Sequence, residues 1–503
     1  MSHHALIFSV HYQYSTATFR AAGPHRIATF LRGHDWDIEV IDYGDHFTLD
    51  ELKELVRSRV SSKTAFIGFS SFFNFWNEKY NQFTSWIKSE YPDIKTILGG
   101  QSVAKTTATD IDYWIDSFGE YAILELLKNL AGNGNPIKFD LEHFGERKLI
   151  RSIASYPAFP MESLKIIMEK RDFVESYEWL PVEFSRGCKF KCKFCNFPIL
   201  GVKGDYTRSS EDFIEQMNHN YDNFGVKHYF MADETFNDSP EKIRKFADAT
   251  EQLNFRPYFS GFMRVDLMIA HPETWHDLVR MNLGGHYYGV ETFNLESAKL
   301  IGKGMHPDKV KQGLLDIKSY FKSNIFYRGT ISLIVGLPHE THMSMRETDN
   351  WLSNNWTDQA IVVFPFDVED IKGPNLKNQT NVSEFGKNID KYGIRQMDPT
   401  GYQKLHSEHF WDWRHGNYAA DKLIWEHDTM NIFEADRISK NLQNKKMFMF
   451  KEDNWSVNIG RYDLTNRSSD LSITLTDVAD SKNKVFFIDY VRNYKHKKLS
   501  WKP

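Results

Sequence analysis

The chain's three cysteines stand within one short run, Ser185-Arg186-Gly187-Cys188-Lys189-Phe190-Lys191-Cys192-Lys193-Phe194-Cys195-Asn196, spaced C-x3-C-x2-C. An odd number in one tight cluster is not a disulfide framework. Three thiolates fall one short of the four ligands of a structural zinc site. An iron–sulfur cube also normally takes four cysteines, so with three one iron is left open to an exogenous ligand. Arg186, Lys189, Lys191 and Lys193 surround the thiols, and positive neighbours favour the anionic ligand form. Phe190 and Phe194 are placed to keep water from a cluster and so tune its potential. A Cys3His zinc knuckle, or three unrelated buried thiols, is the competing reading.

The chain around this loop has 503 residues, with 62 Lys+Arg against 67 Asp+Glu, so its formal charge is 62 − 67 = −5. At roughly 100–200 residues per domain this is room for two to four domains. Near-neutrality excludes a globally basic nucleic-acid coat; nucleic acid is not indicated, though a local basic groove stays open. A charged fraction of 26% with 15% aromatics argues against disorder. Met1–Val10 lacks a basic segment followed by a long apolar core, so no secretory signal is expected. No apolar run approaches the roughly 18 residues that span a bilayer. The expectation is a protein of the reducing cytoplasm with no membrane association.

Strand-like and helix-like stretches alternate through the first 130 residues. Strands are expected at Ala5–Val10, Asp37–Asp42, Thr64–Ser70 and Thr96–Gly100, and helices at His25–Arg32, Leu49–Val60, Trp76–Tyr91 and Tyr121–Leu130. That alternation implies a parallel doubly wound sheet, with ligands beyond the carboxyl ends of its strands. Those ends carry Ser9–Tyr12, Gly68–Asn74, Gly99–Ser102 and Gly119–Glu120. The aromatics there (Tyr12, Tyr14, Phe72, Phe73, Phe75 and Trp76) read first as core packing. Residues 131–175, punctuated by Gly132, Gly134, Pro136, Pro157 and Pro160, read as a connector.

A second alternation follows, with strands at Val182–Ser185, His228–Ala232, Tyr258–Arg264, His286–Glu291, Tyr327–Val335 and Ala360–Pro365. Six strands with helices between them suit a partial or full parallel β/α barrel, whose chemistry belongs at the carboxyl strand ends. The cysteine loop directly follows the first of these strands. Beyond about residue 375 the pattern changes. A mostly helical stretch holds Trp411, Trp413 and Trp425, and Tyr462–Tyr494 reads as strands with turns. The expected fold class is α/β, in three parts: a doubly wound Rossmann-like domain at 1–150, the barrel at 151–374, and a mixed accessory or substrate-capping region at 375–503.

The cysteine run resembles the C-x3-C-x-aromatic-C signature of the radical SAM superfamily, with Phe194 in the aromatic place. The resemblance implies that Cys188, Cys192 and Cys195 hold a [4Fe–4S] cluster whose open iron chelates S-adenosylmethionine. One-electron reduction then cleaves the sulfonium to a 5′-deoxyadenosyl radical. It also implies an electron donor of the flavodoxin or ferredoxin kind. Four further segments are similar to the family's strands. Phe230-Met231-Ala232-Asp233-Glu234-Thr235-Phe236 resembles the second, which puts Asp233 and Glu234 near the methionine amino group; a solvated strand-end acid is the alternative. Phe262-Met263-Arg264-Val265-Asp266 resembles the third, where Arg264 would hold the cofactor carboxylate; a surface salt bridge is its rival. Gly289-Val290-Glu291-Thr292 resembles the fourth, with Glu291 toward ribose hydroxyls and the basic, glycine-ended helix Ala298–Lys303 after it. Ile334-Val335-Gly336-Leu337-Pro338-His339-Glu340-Thr341 resembles the fifth, where Gly336 would let the backbone approach adenine.

A doubly wound domain ahead of such a barrel resembles the cobalamin-binding class of radical SAM enzymes. Ile67-Gly68-Phe69-Ser70, Ile97-Leu98-Gly99-Gly100-Gln101-Ser102 and Phe118-Gly119-Glu120 carry that likeness, which covers roughly residues 1–370. The chain lacks the D-x-H-x-x-G segment that supplies a cobalt ligand elsewhere. A domain that has lost its cofactor and serves as scaffold or substrate clamp is therefore the alternative to bound cobalamin. With no cysteine beyond the three, enzyme types that need a second cluster or a cysteine methyl carrier drop out. The resemblance implies methyl transfer to an unreactive carbon of a small or medium-sized substrate. Corrinoid-independent hydrogen abstraction or rearrangement is the runner-up, and a non-catalytic metal-knuckle scaffold the reading from another class.

Overall fold

Ala5-Leu6-Ile7-Phe8-Ser9-Val10 is apolar without alternation because both of its faces are buried, as expected of a central parallel strand. Leu6 and Phe8 pack with Ile67 and Phe69 on one side of the sheet, and Ala5 and Ile7 pack with Ile38, Val40 and Ile97 on the other. The structure, a computed structural model, describes residues 3–10, 20–71, 76–100, 108–116, 118–130, 141–144, 147–151, 161–197, 199–204, 206–369, 382–397, 423–450 and 482–502.

The first sheet contains β1 (His3–Val10), β2 (Trp36–Ile41), β3 (Thr64–Ser71), β4 (Lys95–Gly100), β5 (Tyr113–Asp116), β6 (Leu141–Phe144) and β7 (Arg147–Arg151), in the order β2-β1-β3-β4-β5-β7-β6. All pairings are parallel except β6 with β7. This is the expected doubly wound topology, with its switch point between β1 and β3. The segments following β1, β3 and β4, with Tyr12, Tyr14, Phe72, Phe73 and Phe75, lie outside the described residues. Trp76 is buried and meets Phe69 edge-on at 5.4 Å, so it is core.

Two expectations change here. The stretch read as a connector contains the β6–β7 hairpin at the sheet's edge. Its second strand, Arg147-Lys148-Leu149-Ile150-Arg151, lies between β5 and the edge strand β6 and has only two apolar residues among three charged ones, which hides it from a search for apolar runs. The C-terminal residues Lys482–Ser500 form a helix where strands were expected; 462–481 lie outside the described residues. The helix lays Tyr490, Val491 and Tyr494 into the core of the first sheet. It also carries the fully buried Lys498, whose ammonium donates to Glu39 Oε1 at 2.9 Å and to Val40 O at 2.8 Å. Arg59 closes the arrangement by donating to Glu39 Oε2 at 2.8 Å and to Lys498 O at 2.6 Å.

The second sheet contains β8 (Trp179–Val182), β9 (His228–Met231), β10 (Tyr258–Met263), β11 (Leu283–Glu291), β12 (Arg328–Val335) and β13 (Ala360–Pro365), laid in chain order. The pairings from β10 to β13 are parallel, and the order is that of a partial β/α barrel. By its internal packing the chain divides into two compact units, 1–185 with 206–228 and 482–503, and 186–205 with 229–481.

Within the second unit, Trp425 lies in β15 (Trp425–His427), between β14 (Arg395–Gln396) and β16 (Met430–Asn431), in a small antiparallel sheet rather than a helix. Trp411 and Trp413 lie outside the described residues. The helix Ile432–Phe450 packs along β13. From it, Gln443 Oε1 accepts from Val363 N–H at 3.0 Å and its Nε2 donates to Ile361 O at 3.1 Å. One side-chain amide thus supplies the rung of a neighbouring strand to the outer edge of β13. Among the described residues no helix is long and apolar enough to cross a membrane.

Candidate functional site

The cysteine loop leaves β8 by a tight turn. Gly187 has φ +98, and a Cβ there would stand 2.7 Å from Val202 and 2.8 Å from Ile199, so glycine is required on both counts. The loop folds back on itself: Cys188 N–H donates to Ile199 O at 3.0 Å, and Gly201 N–H donates to Cys188 O at 2.7 Å. A further turn, Cys195 N–H to Cys192 O at 3.0 Å, sets the last two cysteines. Cys188 is buried, Cys192 and Cys195 are half-buried, and none is in a disulfide.

Burial pushes the Cys195 thiol up to about 12 and raises Cys188 as well. Donors point at the sulfurs nonetheless. Phe190 N–H reaches Cys188 Sγ at 3.5 Å, and Arg264 Nη1 donates to Cys192 Sγ at 3.3 Å. Buried thiols that resist ionisation but are met by N–H groups fit the ligation of a cationic metal centre, whose binding displaces the thiol protons. Among the described residues no three His, Cys, Asp or Glu side chains converge on one metal ion.

The expected cofactor residues line the strand ends around this loop, within the same unit. Asp233 is buried just beyond β9, and Glu234 Oε2 accepts from Gly187 N–H at 3.2 Å, which ties the end of β9 to the cysteine loop. Arg264 closes β10. Its backbone is bracketed by Asn237, which accepts from Arg264 N–H at 2.8 Å and donates to Arg264 O at 2.9 Å. Its guanidinium lies 3.9 Å over the Phe190 ring and grips Asp266 through Nε at 3.1 Å and Nη2 at 2.5 Å. Burial opposes the Arg264 charge, but Asp266 and Cys192 outweigh it and raise its pKa; the same pairing overcomes burial to lower that of Asp266.

Glu291 ends β11 where the pairing with β12 slips between Gly289 and Glu291, and it adopts a left-handed φ of 68°. Such a conformation costs a non-glycine residue about 1–2 kcal/mol, and the surroundings hold it. Lys303 donates to Glu291 Oε1 at 3.0 Å and to Gly289 O, with its ammonium 5.9 Å over the Phe194 ring. Lys303, one residue past the glycine that ends the helix Leu295–Ile301, is therefore the partner of Glu291 Oε1.

Gly336, at φ +95, is enclosed. A Cβ there would stand 2.5 Å from the Trp425 ring and 2.9 Å from Ala435. Its N–H donates to Glu340 Oε2 at 2.8 Å and its carbonyl accepts from His427 Nε2 at 2.9 Å. Glu340 is fully buried, accepts also from Leu337 N–H at 3.2 Å and Thr292 Oγ1 at 2.5 Å, and is pushed by burial up to about 7. The glycine expected to face adenine thus gives its open side to a tryptophan 89 residues away.

Sequence reasoning passed over Asn237, Asp266, Lys303 and Glu340 as contacts. Asp266 and Glu340 stood inside the quoted segments, and their spacing from Arg264 and Gly336 was the available signal. Trp425 and His427 left none, since nothing local marks a residue that packs against a distant glycine.

Residues 182–352 match the radical SAM superfamily. An uncharacterised methyltransferase of Pyrococcus horikoshii is 26% identical over 281 residues, 51% of this chain and 57% of that protein. The anaerobic magnesium-protoporphyrin IX monomethyl ester cyclase of Synechocystis is 21% identical over 239 residues, 44% and 46%. The chain thus spans about half the length of these curated relatives. Among solved structures, the cobalamin-dependent S-adenosylmethionine radical enzyme OxsB, with aqua-cobalamin and S-adenosylmethionine bound, aligns with 99% of this chain and 72% of its own at TM-score 0.59 and 14% identity. The radical S-adenosylmethionine methyltransferase TsrM of Kitasatospora setae aligns with 98% and 99% at TM-score 0.61 and 13% identity. At these identities the likeness is one of fold. Residues 182–352 thus carry the likeness to the radical SAM superfamily, in a chain whose fold resembles that of OxsB and TsrM.

Proposed function

We propose that Cys188, Cys192 and Cys195 hold a [4Fe–4S] cluster at which S-adenosylmethionine binds, and that the protein transfers a methyl group to an unreactive carbon of a small or medium-sized substrate. The observation that carries this is the arrangement of Arg264, one guanidinium serving Cys192 and Asp266 at the end of the third barrel strand. When bound, the cluster supplies the electron that cleaves the sulfonium. The chain's own residues do the positioning. Asp233 and Glu234 offer carboxylates to the methionine ammonium, and Arg264 offers its remaining N–H groups to the carboxylate. Glu291, steadied by Lys303, accepts from ribose hydroxyls. Gly336 enters this reading as the bend that seats Glu340 and Trp425.

Cobalamin on the first sheet is part of the proposal, supported by the flavodoxin-like strand order and by the cofactor that the OxsB structure holds. An electron donor of the flavodoxin or ferredoxin kind and a reducing, cytoplasmic setting complete it. Anaerobic reconstitution with iron and sulfide tests the reading. A brown protein whose near-visible absorbance is lost in the triple variant Cys188→Ala/Cys192→Ala/Cys195→Ala supports it, and stoichiometric zinc without iron sinks it. Equilibration with hydroxocobalamin followed by desalting tests the corrinoid: an absence of retained red chromophore leaves the scaffold role for the first domain.

A further inference from the structure

Four residues beyond Pro365, the last residue of β13, Glu369 turns back toward the cysteine loop and is buried there. Its Oε1 accepts from Asn196 Nδ2 at 3.1 Å, and its Oε2 accepts from Ser383 Oγ at 2.6 Å. Ser383 in turn caps the short helix Glu384–Lys387, accepting from Gly386 N–H at 3.1 Å. Within that helix Phe385 N–H donates to Lys193 O at 3.2 Å, and the Lys193 ammonium lies 5.3 Å over the Tyr392 ring. On its other side Lys193 N–H donates to Ile301 O at 3.3 Å.

Lys193 directly follows Cys192, and Asn196 directly follows Cys195. The backbone that aims these two thiols is therefore held at both ends by groups from beyond the barrel. Glu369 is the centre of that hold because its two oxygens link Asn196, in the cysteine loop, to Ser383, the cap of the helix that grips Lys193. An acceptor with two lone-pair-bearing oxygens is what the two donors require, and both are neutral, so the carboxylate is used for geometry and not for an ion pair.

We propose that Glu369 is a positioning residue for Cys195: it fixes the second half of the cysteine loop in the geometry that ligates the cluster. This rests on the three cysteines holding an iron–sulfur centre.

The test compares reconstituted wild type with Glu369→Ala, Glu369→Gln and Asn196→Ala, under anaerobic conditions. The readouts are iron content, the rate of iron release to a chelator, the electron paramagnetic resonance spectrum of the reduced cluster, and the melting temperature. Glu369→Ala is expected to release iron about tenfold faster and to broaden the reduced-cluster signal. Asn196→Ala cuts the same bond from the other side and should match it, which keeps the test open if Glu369→Ala folds poorly. Glu369→Gln should restore near wild-type behaviour, since its amide can accept from Asn196 and donate to Ser383. Unchanged iron release in both alanine variants, or a lower melting temperature with release and spectrum unchanged, overturns the proposal. A wild type that takes up no iron overturns instead the reading on which it rests, so the two failures are distinct.

Discussion

Arg264 reaches Cys192 Sγ with Nη1 at 3.3 Å while its Nε and Nη2 hold Asp266. A guanidinium has five N–H donors, so these three bonds leave 5 − 3 = 2. The residue thus joins the Cys192 thiol, a cluster ligand in the proposed function, to whatever carboxylate those two can reach. Asp266 keeps the plane from rotating away, and the Phe190 ring closes one face.

Replacing Arg264 by lysine keeps the charge and loses the plane. A point charge cannot serve Asp266 and Cys192 together and still present a fork. Arg264→Lys is expected to load iron like wild type and to bind S-adenosylmethionine roughly 10- to 100-fold more weakly, the worth of one or two charge-assisted bonds. Equilibrium dialysis of the reconstituted protein measures this; equal affinity would show that the two free N–H groups are not used.

Gly336→Ala meets both a left-handed backbone and the Trp425 ring. The expected loss is about 2–4 kcal/mol from strain and overpacking together, read in urea unfolding. Part of it should return when Trp425→Phe is added, because the smaller ring vacates the place a Cβ would take. Failure of that rescue would assign the cost to the backbone and the Ala435 contact instead of the Trp425 ring.

Glu340 predicts a pH dependence with a definite sign. Its carboxyl is pushed by burial from 4.5 up to about 7, and the nearby His427 is lowered by burial and so favours neutrality. The contribution to stability is complete below about 4.5 and is lost as pH rises through about 7, because the unfolded chain ionises first. Glu340→Gln removes that slope, so the variant should gain on wild type by about 3 kcal/mol between pH 4.5 and 7, on top of any constant offset. Urea unfolding at pH 5 and pH 8 decides it: a pH-independent difference refutes the assignment.

Lys498 anchors the C-terminal helix through a buried charge. Lys498→Met leaves Glu39 with Arg59 alone and should cost about 3 kcal/mol. Limited proteolysis should then cut the helix 482–500 before the rest of the first unit. Cleavage at the wild-type rate would mean that Tyr490 and Tyr494 suffice to hold it.

Much of the barrel could be read from the chain because its strands are short apolar runs followed by chemistry-bearing ends. The ends of β9 to β12 fell within a few residues of expectation, with Arg264 directly after β10 and Glu291 the last residue of β11. What escaped was non-local. Trp425 looks like any helical tryptophan until the missing Cβ of Gly336 gives it a place. Lys498 looks like a solvated tail until Glu39, 459 positions earlier, closes on it. The β6–β7 hairpin mixes charged residues with few apolar ones, and so lacks the pattern by which strands are found.

The amide of Gln443 on the outer edge of β13 has a consequence for the company the molecule keeps. A sheet margin with vacant N–H and C=O groups is a template on which another chain can add a strand, and then a further one. With Ile361 and Val363 already answered from within the same chain, this margin offers an incoming backbone a broken ladder. Among the described residues, both of these bonds come from one side chain. In Gln443→Leu the same helix would still cover the strand but leave its polar groups unanswered, and concentration-dependent self-association at unchanged secondary structure is the result to look for by light scattering.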